Sequence, residues 1–514
     1  MFSTALMSPS SWMGDLLLAL YFAVLTTLAI FGVHRYRMVY LYFRNRRRSV
    51  DLPGRFATLP RVTVQLPVYN ELYVVDRLID SVCRLDYPGE LLEIQVLDDS
   101  TDETSERARA RVELHRERGV DIHYLHRSER TGFKAGALAY GLASAKGEII
   151  GVFDADFVPE PDFLHQTVHY FVDREVGMVQ ARWGHINDAY SLLTRIQAVL
   201  LDAHFVLEHG GRHRAGAFFN FNGTAGLWRR EAIEKAGGWQ HDTLTEDMDL
   251  SYRAQLAGFR FVFLPDVVAP AEIPVSMSAF KSQQQRWSKG SIQTARKLLP
   301  RILASPLSLR IKVEALFHLT ANLAYPLMVL LSLLMFPSML LRFDMGFAEM
   351  LLLDVPLFLL ATASVTSFYV VSQRELYPDW RQRLKVLPML LALGIGMCLS
   401  NGRAVIEALM GKQSSFVRTP KYRIESSADG WKQKKYRGLG SLLPWLEVAI
   451  GVYFTVTVVY AASHQILGSI PFLVLFQVGF LYTGVLSLWE SVELKALRAP
   501  SSARQALHPP LTTG

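Results

Sequence analysis

Two carboxylates one residue apart, Asp154 and Asp156, follow a run of β-forming residues (Glu148-Ile149-Ile150-Gly151-Val152-Phe153) and precede Pro159 and Pro161, which force a loop. Acids so placed sit at the end of a strand. A hard divalent cation such as Mg²⁺ or Mn²⁺ takes oxygen ligands and commonly completes its shell with substrate phosphates. The pair therefore points to a metal site facing a nucleotide-diphosphate substrate. Most Asp-x-Asp pairs are solvated turn residues, so this one gains meaning only from its company.

Three further clusters supply that company. Thr245-Glu246-Asp247 follows the turn Gly237-Gly238-Trp239, and a carboxylate there can act as general base, removing the proton of an acceptor hydroxyl as it attacks a sugar carbon. The same residues read as a helix N-terminus, with Thr245 as cap, Glu246 and Asp247 favouring the dipole and Met248 to Leu256 as the helix; both readings can hold at once. Gln283-Gln284-Gln285-Arg286-Trp287 follows a helix-like stretch from Met277. Its arginine suits a departing diphosphate and its tryptophan a sugar ring, although Arg-Trp near a membrane is also a common interfacial anchor. Phe416-Val417-Arg418-Thr419-Pro420-Lys421 has the basic side chains and hydroxyl of a lid that closes over phosphates. Alone it would be a solvated basic loop.

The elements that must position these groups alternate. A strand from Arg61 to Pro67, a helical segment from Glu71 to Cys83, a strand from Glu93 to Leu97 ending in Asp98-Asp99-Ser100, a helix from Glu103 to Arg118 and a short strand from Ile122 to Leu125 lead on to Gly132-Phe133-Lys134. A further helix then brings the chain to the strand before Asp154. The alternation predicts βαβ units and a mainly parallel sheet, an α/β fold in which ligands bind beyond the carboxyl ends of the strands, where Asp99, Asp154 and Asp156 fall.

Half of the 514 residues are apolar, and these are concentrated in long runs toward the two ends, with an ordinary soluble composition between about 60 and 300. Leu16 to Val33 is apolar and uncharged, is followed by a basic cluster from Arg35, and lacks a small-residue cleavage site, which favours a membrane anchor over a cleaved signal peptide. Beyond Gly290, Val313 to Leu341, Leu351 to Val371, Leu442 to Ala462 and Ile470 to Trp489 are each long enough to cross a bilayer. The connection holding Asp344, Glu349 and Asp354 is acidic, and that holding Arg374, Arg381, Arg383 and Lys385 is basic, which sets the latter inside. Five crossings result, forming an all-α transmembrane region, with the amino terminus outside. Val386 to Met410, apolar only to about Leu399, reads as an amphipathic element on the cytosolic face; a sixth crossing would invert the charge logic downstream. The two cysteines, Cys83 and Cys398, argue against a disulfide framework. The net charge of +7 needs no nucleic-acid partner, because much of the excess (Arg44, Arg46, Arg47, Arg48; Lys432, Lys434, Lys435, Arg437) flanks apolar runs, as orientation signals and anionic-lipid contacts require. No internal repeat is present.

Taken together and in order, Asp99, Asp154/Asp156, Asp247 and Gln283/Arg286/Trp287 resemble the motif set of the membrane-integrated family 2 glycosyltransferases, the group holding cellulose, mannan, hyaluronan and chitin synthases. The stretches Gln65 to Glu71, Asp98 to Asp102, Phe221 to Gly226 and Thr243 to Leu250 look most like plant-type mannan and glucomannan synthases and their bacterial relatives. The resemblance implies a cytosolic GT-A-type domain that binds a nucleotide sugar, UDP-glucose or GDP-mannose. It also implies inverting transfer of hexose to a growing β-glycan, a Mg²⁺ or Mn²⁺ cofactor, and export of the product. By the same resemblance Pro67, Glu71 and Asp99 hold the nucleotide, and Lys134 touches the diphosphate. Asp154 and Asp156 bind metal, Asp247 is the base, and Glu246, Gln283, Arg286 and Trp287 form the acceptor and diphosphate site. Thr419 and Lys421 match a gating loop, from whose pattern Arg418 departs by standing where the family has valine.

The implied layout is an anchor and basic linker (1–50), the cytosolic domain (51–300), a transmembrane hairpin (301–385), an interface helix and gating-like loop (386–440), a second hairpin (441–492) and a disordered tail (493–514). A multi-pass protein of a plasma or inner membrane is expected, its partners the bilayer, the donor, the acceptor and an accessory export protein. Two other readings remain: single transfer of a sugar to a lipid such as ceramide or diacylglycerol, and a transporter or receptor with a regulatory insert. The second of these predicts ionisable residues within the membrane runs, and the carboxyl-terminal runs are nearly free of them, Glu447 near the start of one standing out.

Overall fold

The computed structural model of the protein describes residues 12–48, 50–342, 347–414, 416–435 and 442–498. Residues 499–514 of the expected disordered tail lie outside this set, as do Asp344 and Arg437.

Among the described residues, seven strands form one sheet: β1 (Val62–Val68), β2 (Leu92–Asp98), β3 (Ile122–His126), β4 (Ile149–Val152), β5 (Val176–His185), β6 (Gly226–Arg229) and β7 (Arg260–Ala271), in the order β3-β2-β1-β4-β6-β5-β7. β1 to β4 run parallel, as the βαβ alternation predicts. β6 runs antiparallel to both β4 and β5, and β5 pairs in parallel with β7, so the sheet is mixed but mainly parallel.

Alternation decides what each face meets. Val62, Val64, Leu66 and Val68 of β1 are fully buried in one apolar cluster with Val74, Leu78 and Ile79 of the first connection, and each such side chain contributes roughly 1.5–3 kcal/mol. Thr63 and Gln65 face the other way, equally buried, and pair laterally: Thr63 Oγ1 donates to Glu93 (2.6 Å) and Gln65 Nε2 to Gln95 (3.0 Å). The covering helix Phe133–Ser144 approaches this polar seam through Gly141, where a Cβ would fall 2.6 Å from Gln65 Nε2. That helix carries Lys134 into the site.

Among the described residues, five helices are long and apolar enough to cross a membrane: Trp12–Asn45, Leu309–Leu341, Pro356–Leu376, Leu443–Ser463 and Leu467–Glu493. They match the five apolar runs in the sequence. Helices in lipid gain little from burying apolar surface and associate through close backbone approach at small residues, and some of these helices do so. A Cβ on Gly451 would fall 2.6 Å from Leu481, and one on Gly484 2.9 Å from the Pro444 carbonyl. The segment expected to be one amphipathic element is instead two helices, Leu387–Gly396 and Cys398–Leu409, bent by 41° about their junction. Its first half packs on the helix Ile470–Arg498, with Gly396 against Gly479 so closely that a Cβ on Gly396 would lie 2.2 Å from the Gly479 carbonyl. Counted as one span, the bent pair makes a sixth.

The helix Met277–Ala304 joins the sheet domain to these helices. Its first N–H groups, Met277 and Ser278, donate to Glu490 (2.7 and 3.2 Å), and Lys281 reaches Glu447 at 2.5 Å and the Ser487 hydroxyl at 2.8 Å. Glu447, the ionisable residue that stood out within an apolar run, is thus the buried counter-ion of this helix.

Candidate active site

The carboxyl ends of β1, β2 and β4 open on a cavity of about 150 Å³. Every site residue anticipated in the sequence lines it: Pro67, Glu71 and Asp99 from the ends of β1 and β2, Asp154 and Asp156 after β4, Lys134, the Glu246–Asp247 pair, Gln283, Arg286 and Trp287 from one face of the long helix, and Thr419 and Lys421. Pockets for drug-sized ligands run to roughly 300–1,000 Å³, so this cavity is small beside them.

One wall is the loop 416–424. Arg418 pairs with Glu71 at 2.7 Å, Lys421 is ion-paired to Asp156, and Arg286 donates to the Thr419 hydroxyl at 3.4 Å while lying over the Phe416 ring at 4.6 Å. Glu272, just beyond β7, accepts the backbone N–H of Tyr422 and of Arg423, both at 2.8 Å, and so fixes the loop's far end.

Asp247 lies in the first turn of the helix Glu246–Leu256. Burial pushes its carboxyl up to about 7, with the adjoining Glu246 charge adding to the effect, and burial raises Glu246 as well. One oxygen accepts the Met248 N–H at 2.7 Å; the other is shielded by Gly223, whose φ of +82° and missing Cβ are both required, since a Cβ there would stand 2.9 Å from it. Thr245 stands at the cap position but makes no side-chain capping bond; its hydroxyl faces that of Thr294 at 3.3 Å, because the long helix approaches through Gly290 too closely to leave it free.

Asp154 is bound by Lys134 at 2.5 Å, and Lys134 also donates to the Gly223 carbonyl at 2.9 Å, tying the Asp154/Asp156 pair to the loop that shields Asp247. Burial alone would raise the Asp154 carboxyl, but Lys134 and Lys421, with Arg286 behind them, outweigh it and hold it below its ordinary value. Asp99 is gripped on both oxygens by Arg127, at 2.7 and 2.5 Å, so it buttresses the pocket wall.

Among the described residues no group of three or more His, Cys, Asp or Glu side chains forms a ready cation cage. Two carboxylates, each carrying a lysine ammonium where a cation would sit, fit instead an ion that completes its shell with the oxygens of a diphosphate.

Sequence reasoning missed Arg130, Tyr69 and Gly223. Arg130 lies 3.4 Å over the Tyr69 ring and 5.0 Å over that of Phe133, a flat cationic stack at the pocket edge beside Asp99. The signal available was Arg130 two residues before Gly132, which opens the helix of Lys134 in a left-handed conformation (φ +74°).

A model of the glycosyltransferase-like family 2 matches residues 60–290. The chain is 44% identical over 252 residues to glucomannan 4-beta-mannosyltransferase 1 of Oryza sativa subsp. japonica, covering 48% of either chain. It is 42% identical over 266 residues to the probable glucomannan 4-beta-mannosyltransferase 10 of Arabidopsis thaliana, covering 51% of this chain and 48% of the relative. It thus spans about half the length of the curated relatives it matches. A solved mannosyltransferase from Pyrobaculum calidifontis, in complex with GDP-Man and Mn²⁺, superposes with a TM-score of 0.50 at 22% identity over 76% of this chain and all of that one, a likeness of fold. With the expected motif residues gathered in one cavity, these matches identify residues 60–290 as a family 2 glycosyltransferase domain, in a chain whose apolar helices fit a membrane protein.

Proposed function

We propose that the protein transfers hexose from GDP-mannose or UDP-glucose to the end of a growing β-glycan, by one inverting displacement, and passes the product across the membrane in which its helices lie. The observation that carries this reading is the buried Asp247 carboxyl, raised to about 7, in one cavity with the Asp154/Asp156 pair and Arg286. A base poised near the working pH is what proton removal from a sugar hydroxyl demands. Asp247 takes that proton as the hydroxyl oxygen attacks the anomeric carbon, and the bond from that carbon to the diphosphate breaks on the opposite face. Lys134, Arg286 and Lys421 balance the charge on the departing diphosphate. Asp154 and Asp156 would hold a divalent cation, which would add to that neutralisation. Trp287 and Gln283 hold the acceptor end.

Similarity to plant glucomannan 4-beta-mannosyltransferases supports a β-1,4-mannan or glucomannan as product. The basic stretches Arg44–Arg48 and Arg374–Lys385 support a cytosolic domain. The test is incubation of the protein in nanodiscs with labelled GDP-mannose, UDP-glucose or both, and Mn²⁺ or Mg²⁺, followed by sizing and digestion with mannanase and cellulase. A long product cut by either enzyme is expected. A short product extracted into organic solvent would replace the polymer with a lipid acceptor, and undiminished turnover in a chelator would remove the metal.

A further inference from the structure

One end of the cavity carries polar groups to which the transfer step gives no role. β5 runs antiparallel to β6, and β6 to β4, so β5 and its parallel partner β7 finish at the same edge as β1, β2 and β4. Two strand spacings separate β5 from β4, about 10 Å. If the proposed function holds, and the present inference rests on it, the diphosphate lies at Asp154 and the nucleotide toward Asp99 at the end of β2. The sugar and the acceptor then extend the other way, toward the end of β5.

That end carries Trp183 and His185, two residues apart and so on one face of the strand, and both line the cavity. The His185 side chain is only 4% exposed. Its Nε2 donates to Asp202 at 2.9 Å, and the wholly buried Asp202 also accepts from Gln373 at 2.9 Å and from the Tyr377 hydroxyl at 3.4 Å. Burial would raise the Asp202 carboxyl, but the hydrogen bond from His185, with the other contacts, outweighs it and holds the group below its ordinary value. An ionised carboxylate only accepts, so Nε2 carries a proton and Nδ1 is the ring atom left over. Among the described residues Nδ1 has no hydrogen-bond partner, yet it is not sealed away. The Trp183 Nε1–H is buried without a partner, as is Oδ1 of Asn222, whose own N–H donates to Gln180 of β5 at 2.9 Å. Buried polar groups are ordinarily paired; a donor, an acceptor and an open ring nitrogen around one end of a cavity suit a ligand with several hydroxyls, each able to donate and accept. A sugar chain is such a ligand.

We propose that His185 Nδ1, held in place by Asp202 and with Trp183 Nε1 beside it, takes a hydroxyl of the acceptor's terminal sugars and keeps the growing chain bound between additions. Two variants separate this from a structural role. His185→Gln keeps an amide where Nε2 stands, facing Asp202, and removes Nδ1, whereas His185→Asn keeps an amide where Nδ1 stands and gives up Asp202. Each is incubated in nanodiscs with labelled GDP-mannose and UDP-glucose, the product is sized, and donor affinity and thermal midpoint are measured on the same samples. His185→Gln is expected to shorten the product about fivefold, as chain release speeds up by what one lost hydrogen bond gives, with donor affinity and thermal midpoint unchanged. Trp183→Phe should shorten it as well. His185→Asn is expected to lower the thermal midpoint but keep most of the product length. Unchanged length in folded His185→Gln, or shortening in His185→Asn alone and in step with its thermal midpoint, overturns the proposal. A short or lipid-linked product from the unsubstituted chain is a separate failure, that of the polymerising reading; it shows before any variant is compared, and the proposal falls with it.

Discussion

At the scale of single residues, the site rests on a carboxyl kept hard to ionise. Because burial raises Asp247 to about 7, transfer is expected to fall steeply as the pH drops below that value, since only the deprotonated form accepts a proton. Asp247→Asn should lower kcat by about 10²–10⁴ while donor affinity, read by calorimetry, stays within a few-fold. The sign of the stability effect is opposite. A carboxyl whose folded value lies above its unfolded 3.8 loses stability as the pH rises from about 4 to 7, so Asp247→Asn should raise the thermal midpoint at alkaline pH and leave it unchanged in acid. Gly223→Ala should act on the same oxygen, displacing the carboxylate and straining a left-handed backbone; a large loss in kcat with a smaller loss in donor affinity is expected in a turnover assay. The acids and Arg286 were legible in the sequence because chemistry-bearing residue types stood at strand ends and on one helix face, and Lys134 was legible only through the family resemblance. Gly223 and Arg130 were not, because their roles lie in a backbone angle and in stacking between segments distant in the chain.

Elements carry the next layer. The helix Met277–Ala304 bears Gln283, Arg286 and Trp287, and its place is set by Lys281 on Glu447 and by Glu490 at its first N–H groups. Lys281→Met alone leaves a buried carboxylate without a partner and should cost about 3–5 kcal/mol of stability, while Lys281→Met with Glu447→Leu should recover most of it, a coupling that a double-mutant cycle in thermal unfolding reads directly. The parallel strands β1 to β4 were legible from their alternation with helices. β6 has only four residues, too few to show a period, and β7 holds Pro265 and Pro270, which argue against a strand. Both are tolerated because β7 is an edge strand, paired on one side only, and Pro265 falls where its register with β5 jumps from Leu264 to Val268. Glu272, which anchors the loop 416–424, lies just beyond this overlooked strand.

For the whole molecule, hydropathy located the five long helices, but composition could not say how the bent pair 387–409 sits, because a kinked span and an interfacial element share one apolar content. The consequence is topological. Five crossings set residues 12 and 498 on opposite faces, whereas six set them on the same face. Reporter fusions placed before residue 12 and after residue 498 are expected to report opposite sides; the same side for both would make the bent pair a span.

Lys421 on Asp156 is a cation tethered to the site it would vacate. Held by a short loop, its effective concentration there is of millimolar order or higher, so a divalent ion arriving alone meets an intramolecular competitor. A diphosphate that draws the ammonium away relieves that competition, and linkage requires the relief to be equal in both directions: on the proposed reading, the nucleoside diphosphate tightens the ion by the same factor as the ion tightens the nucleoside diphosphate. Lys421→Ala should therefore strengthen Mn²⁺ binding in the absence of nucleotide and shrink this mutual factor, turning a site that recognises metal and donor as a pair into one that takes them singly.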